Sequence, residues 1–141
     1  MGRALSMSST ARAVGWSSVV TRLGELEATV MDLLWDRQGP TTVRDVLELL
    51  APRRPLAYTT VMTVVHQLQR KGFLVRVDHG DRAHVYEPTR SREAYVAELM
   101  GEALAKSTDT SAALMSFVGQ MSPAEADALR VALRRRQGRA R

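Results

Sequence analysis

The chain of 141 residues has no cysteine, which removes disulfide frameworks, Cys-ligated zinc and thiol nucleophiles together. Long apolar runs are also missing. No stretch approaches the roughly 18 uncharged residues of a membrane-spanning helix, so no membrane insertion is expected and the cytosol is the expected compartment. The first twenty residues hold Arg3 and Arg12 among scattered apolar, Ser and Thr positions, without the apolar block of a secretory signal. Residues 1–20 therefore read as a flexible tail, with Met7 a second candidate start. There is no phosphate-binding glycine loop, no nucleophile elbow and no close carboxylate pair in an apolar setting, so neither enzymatic activity nor a cofactor is expected. Of the three histidines, His66 sits on a helix and His79 and His84 flank a turn, with no carboxylate at ligand spacing that makes a closed site evident, and no metal site is expected. Lysine is scarce too: only Lys71 and Lys106 among twenty cations. With abundant Ala and Val, this is the usage of a GC-rich bacterial genome.

The length suits one ordinary domain, or a DNA-binding domain of roughly 70 residues plus an oligomerising segment. The net charge is +5, a modest excess whose distribution matters more than its size. Residues 22–52 carry three Arg against six acids, whereas residues 53–90 carry seven cations against three. One half of the candidate domain is acidic and the other basic.

Leu23, Leu26, Val30, Leu33 and Leu34 follow the spacing of one helical face, which stops at Gly39-Pro40. Thr41 or Thr42 can cap a second, short helix with Val43, Val46, Leu47 and Leu50 inward, ended by Pro52. After Pro55 a third helix runs from near Ala57 to Gly72, and its Val61, Val64, Val65 and Leu68 fall within about 100° of arc. The period then becomes alternating: Phe73, Val75 and Val77 lead to a turn at residues 78–81, and Ala83 to Tyr86 returns as a second strand before Pro88. Three helices followed by a hairpin make a mainly α fold with a small β-hairpin, the winged form of helix-turn-helix.

Ser91 can cap a fourth helix with Val96, Leu99, Met100 and Ala103 in a stripe. A short helix with Leu114, Phe117 and Val118 follows the polar stretch 107–111. Ser122-Pro123 with Glu125 then starts a last helix carrying Ala126, Leu129, Ala132 and Leu133. These residues are too few to enclose a core of their own and are expected to bury against a second copy. The expected organisation is a tail at 1–20, a winged-helix domain at 21–89, a helical dimerisation domain at 90–137 and a basic tail at 138–141. The dimerisation residues are Val96, Leu99, Met100, Ala103, Leu114, Phe117, Leu129 and Leu133.

A recognition helix places short side chains against base edges and cations at its margins. Opposite the valine stripe, the third helix displays Thr59, Met62, Thr63, His66 and Arg70, flanked by Thr60 and Gln67. An idle solvent face would usually be laced with Glu and Lys pairs, and this one is nearly free of charge. Arg53 and Arg54 before the helix, Arg70 and Lys71 at its end, and Arg76, His79, Arg82 and His84 on the hairpin are candidate phosphate contacts.

The runs Glu25-Leu26-Glu27-Ala28-Thr29-Val30-Met31-Asp32-Leu33-Leu34-Trp35, Thr42-Val43-Arg44-Asp45-Val46 and Tyr58-Thr59-Thr60-Val61-Met62-Thr63-Val64, followed by Leu68, Lys71-Gly72 and Phe73-Leu74, resemble the penicillinase repressor (BlaI/MecI) family. The resemblance covers about Leu23 to Leu133, and Tyr58-Thr59-Thr60 looks like its actinobacterial branch. It implies a homodimeric winged-helix repressor on palindromic double-stranded operator DNA, often before β-lactamase or penicillin-binding-protein genes. It also implies derepression by proteolysis after a β-lactam sensor fires, and it adds Tyr58 to the base-reading set. The stretch similar to the staphylococcal cleavage site is Leu114-Met115-Ser116-Phe117-Val118, with Ser116 where those members carry asparagine. Ser116-Phe117 is thus the candidate bond. Two other readings stay open: a winged helix that binds protein, and a one-component repressor answering to a small ligand.

Overall fold

The computed structural model describes residues 22–77, 80 and 83–140. The first helix, α1 (Glu25–Arg37), begins where the Glu27 carboxylate accepts the Gly24 N–H at 2.7 Å, satisfying one of the orphan donors of the first turn. It ends at Gln38 and Gly39, both at positive φ (55° and 125°). Strand β1 (Thr41–Thr42) leads directly into α2 (Val43–Leu50). Of the two candidate caps, Thr42 is the one used: its hydroxyl accepts the Asp45 N–H and the Asp45 carboxylate accepts the Thr42 N–H, each at 3.0 Å.

The third helix, α3 (Tyr58–Arg70), buries Val61, Val64, Val65 and Leu68, the stripe expected from sequence. Gly72, at φ 87°, closes it. The Phe73 N–H reaches the Leu68 carbonyl at 2.9 Å and the Gly72 N–H reaches that of Gln69 at 3.0 Å, the paired bonds of a Schellman ending. Phe73 and Leu68 are both fully buried, completing the hydrophobic contact that accompanies this motif.

Strands β2 (Leu74–Val77) and β3 (Val85–Pro88) form the hairpin, with three departures from expectation. The sheet has three strands, ordered β1-β3-β2, because Thr41 and Thr42 pair antiparallel with Tyr86 and Val85. The returning strand is Val85–Pro88, two residues later than Ala83 to Tyr86, in the register Leu74↔Pro88 to Val77↔Val85. The alternation is also out of phase with Phe73, Val75 and Val77: Phe73 and Leu74 are buried in succession and Val75 is 47% exposed. Phe73 belongs to the helix ending, so Leu74 and not Val75 is the β2 residue that enters the core, and the next two residues, Val75 and Arg76, are both exposed.

The core joins Val30, Met31 and Leu34 of α1, Val43, Val46 and Leu50 around α2, the α3 stripe, and Phe73, Leu74 and Tyr86. Met31 is fully buried, while Leu23, Leu26 and Leu33, expected to define the α1 face, pack only partly. The compact unit containing these residues continues past residue 89 to Leu99, because the start of α4 (Arg92–Ala105) is locked to it. Tyr95 stacks its ring edge on Phe73 (5.2 Å between centroids) and lies 6.0 Å from Trp35. Its hydroxyl accepts the Leu23 N–H. Arg92 donates to Asp36 at 2.8 Å and to the Asp32 carbonyl at 3.2 Å.

A second unit begins at Met100 and contains the end of α4, α5 (Thr110–Gly119) and α6 (Pro123–Arg139). Asp109 caps α5 by accepting the Ala112 N–H. Ser122 and Glu125 form a reciprocal capping box on α6 with Pro123 in its first turn, as the sequence pattern predicts. No residue of α5 or α6 is buried. No helix among the described residues is long and apolar enough to cross a membrane.

Candidate nucleic-acid interface

The face of α3 opposite the core carries Thr59, Thr60, Thr63, His66, Gln67 and Arg70, all exposed, with Tyr58 41% exposed at its start. The helix contains no acidic residue. The Thr63 hydroxyl donates to the Thr59 carbonyl at 2.9 Å. Its proton is therefore used within the helix, leaving the methyl and the oxygen lone pairs for an incoming surface. Thymine methyls suit the former and base amino groups the latter. Met62 is half-buried and packs against the core. At 100° per residue it stands on the flank of α3, where the space toward the core takes most of its side chain.

Arg53 and Arg54 are exposed in the turn after α2, where both backbone N–H groups close on the Leu50 carbonyl at 3.0 and 2.7 Å. Arg70 is exposed in the last turn of α3, and Arg76 and His84 are exposed on the hairpin. His79 and Arg82 lie outside the described residues.

Lys71, exposed at the end of α3, has a partner within the chain. Its ammonium lies 2.7 Å from Glu27 Oε1 and donates to the Arg22 carbonyl at 3.4 Å, so it ties the end of α3 to the start of α1. Burial opposes ionisation of Glu27, but hydrogen bonds from Lys71 and Gly24 together with the Lys71 charge outweigh it and hold the carboxyl below its ordinary value. The sequence alone does not show this pair. Nothing in a run such as Arg70-Lys71 distinguishes a phosphate ligand from a cation whose carboxylate lies 44 positions away.

A three-helix unit with a three-stranded wing, its third helix exposing a polar face without acids, defines a winged-helix protein. The chain belongs to the penicillinase repressor family, whose sequence pattern matches residues 23–135. It is 51% identical over 117 residues to the transcriptional regulator BlaI of Mycobacterium tuberculosis, in both strain CDC 1551 and strain H37Rv, covering 81% of this chain and 84% of that protein. The family and these relatives are transcriptional regulators, not enzymes. Two solved structures are more distantly similar. MepR, a transcription regulator of the Staphylococcus aureus multidrug efflux pump MepA, is 13% identical with a TM-score of 0.43, covering 99% of this chain and 91% of that one. Lactococcus lactis ZitR in complex with DNA is 14% identical with a TM-score of 0.43, covering 87% and 79%.

Proposed function

We propose that this transcriptional regulator is a cytosolic homodimeric repressor that binds palindromic operator DNA, with Thr59, Thr60, Thr63, His66 and Gln67 of α3 reading bases. Tyr58 and the edge of Met62 border that reading surface. Arg53, Arg54, Arg70, Arg76 and His84 make the phosphate contacts, together with His79 and Arg82 of the expected set. The observation that carries this reading is the outward face of α3: exposed, polar and free of acids on a helix whose opposite stripe is fully buried.

Dimerisation through the second unit accounts for its exposed apolar side chains: Met100, Leu114, Met115, Phe117, Val118 and Leu133 are all exposed, alongside Ala103 and Leu129 of the expected set, while Val96 and Leu99 of that set stand at the end of the first unit. Exposed large apolar side chains in such number are the material of an association site. A two-fold dimer places two recognition helices on half-sites about one helical turn apart, multiplying the few base contacts of each.

Derepression by proteolysis at Ser116-Phe117, under a β-lactam sensor-protease system controlling β-lactam-response genes, extends this reading. The bond lies inside α5, and both residues are exposed. A protease needs extended backbone, so cutting here requires α5 to open locally, which a dimer that buries Phe117 would oppose.

The test is a gel-shift titration of the protein on its own upstream region against scrambled DNA at two salt concentrations. Selective, salt-sensitive binding as a dimer is the expected result. Equal weak binding to both DNAs overturns the operator reading for that region.

A further inference from the structure

Arg90, between β3 and α4, meets three groups at once. Its Nη1 lies 2.6 Å from each Glu98 carboxylate oxygen, and its Nη2 donates to the Gly72 carbonyl at 3.4 Å. The guanidinium carbon sits 4.6 Å from the centre of the Phe73 ring. The backbone is held as well, since the Arg90 carbonyl accepts the Trp35 indole N–H at 2.9 Å. Its neighbour Thr89 donates its hydroxyl to the Gly72 carbonyl at 2.6 Å and its N–H to the Phe73 carbonyl at 2.9 Å.

Gly72 and Phe73 are the two residues whose N–H groups close α3. The end of that helix is thus gripped from outside by residues 89 and 90, which are anchored in turn on α1 through Trp35 and on α4 through Glu98. A cation at this end also complements the partial negative charge of the helix terminus. The Arg90 side chain is largely shielded, at 26% exposure, and none of its partners belongs to the outward face of α3.

We propose that Arg90 is a positioning residue for DNA recognition, acting through Gly72 and Phe73 to hold the C-terminal half of α3, where His66, Gln67 and Arg70 stand. This rests on the DNA-binding reading above. A planar guanidinium is suited to the task because it stacks on Phe73 while its nitrogens point to two acceptors in different directions.

The experiment compares the parent, Arg90→Ala and Glu98→Gln on operator and scrambled DNA over a range of salt, well below each melting temperature and with folding verified by circular dichroism. Arg90→Ala is expected to bind operator about tenfold more weakly while its binding to scrambled DNA and its salt dependence stay those of the parent. Glu98→Gln, which leaves the arginine present but loosens it, is expected to show the same operator-only pattern with a smaller loss. Folded variants with parental operator affinity overturn the proposal. So does an equal loss on both DNAs with the salt slope reduced by about 0.9, the mark of a direct phosphate contact. A parent that fails to prefer operator overturns the DNA reading itself, and this is seen before any variant is compared.

Discussion

Helices α3 and α5 are both rich in apolar residues, yet they are completed differently. In α3 the apolar residues fall on one stripe, and all four of the stripe are buried within the chain. In α5 they are spread around the helix, none is buried, and Met115 and Phe117 are 73% and 49% exposed. The winged-helix unit therefore draws its stability from its own core, whereas the unit from Met100 onward offers apolar surface that only another surface can remove from water. Substitutions in the first unit should register as stability whatever the protein concentration. Those in the second should register as association.

The largest expected effect is Phe73→Ala. Phe73 is fully buried, ends α3, and contacts both Tyr95 and Arg90, so its loss should destabilise the winged-helix unit by about 3–5 kcal/mol, measured by urea denaturation. Next is Phe117→Arg, expected to weaken self-association by about 2 kcal/mol or more, read by sedimentation equilibrium, with the far-ultraviolet spectrum of the folded protein retained. A Phe117→Arg variant that unfolded at every concentration would break the comparison, since it would show α5 to be part of a self-sufficient core.

Much of this contrast could be seen in the sequence, because both arguments rest on periodicity. The Val61, Val64, Val65 and Leu68 stripe, the Gly72 ending and the Ser122-Pro123 start each depend on residues within one helical turn of each other. Most of what escaped depends on residues far apart. Thr41-Thr42 is too short to show a strand period, and it becomes a strand only when β3 arrives beside it. Phe73 looked like the first residue of an alternating strand until the Schellman closure claimed it. Lys71 needed Glu27, and Arg90 needed Gly72, Phe73 and Glu98. The outward face of α3 was legible as a surface, but how far the neighbouring core takes up Met62, on the margin of that face, depends on packing that a count of 100° per residue does not give.

A third, smaller effect sharpens the division of labour within the DNA-facing surface. Thr63→Val keeps the shape and removes the hydroxyl, and is expected to cost about 1–3 kcal/mol on the best operator while narrowing the gap to mismatched sites. Arg70→Gln is expected to weaken all DNAs alike and to reduce the salt slope by about 0.9. Competition binding on a set of operator variants, repeated across salt, separates the two. If the two variants exchanged these behaviours, the assignment of bases to the middle of α3 and phosphate to its end would be reversed.

The smallest effect concerns the pair that ties α3 back to α1. Because the Glu27 carboxyl is held below its ordinary value in the folded protein, it contributes stability above the unfolded value, near pH 4, that is lost as pH falls through the lowered folded value. Glu27→Gln should therefore cost about 1 kcal/mol at neutral pH and make the acid limb of the stability curve shallower. Lys71→Met removes the same ion pair from the other side and should lower stability while leaving the salt slope of DNA binding at the parental value. A reduced slope in Lys71→Met would return the ammonium to the phosphate contacts. An unaltered slope with an altered acid limb in Glu27→Gln would place both groups in the frame that carries the recognition helix.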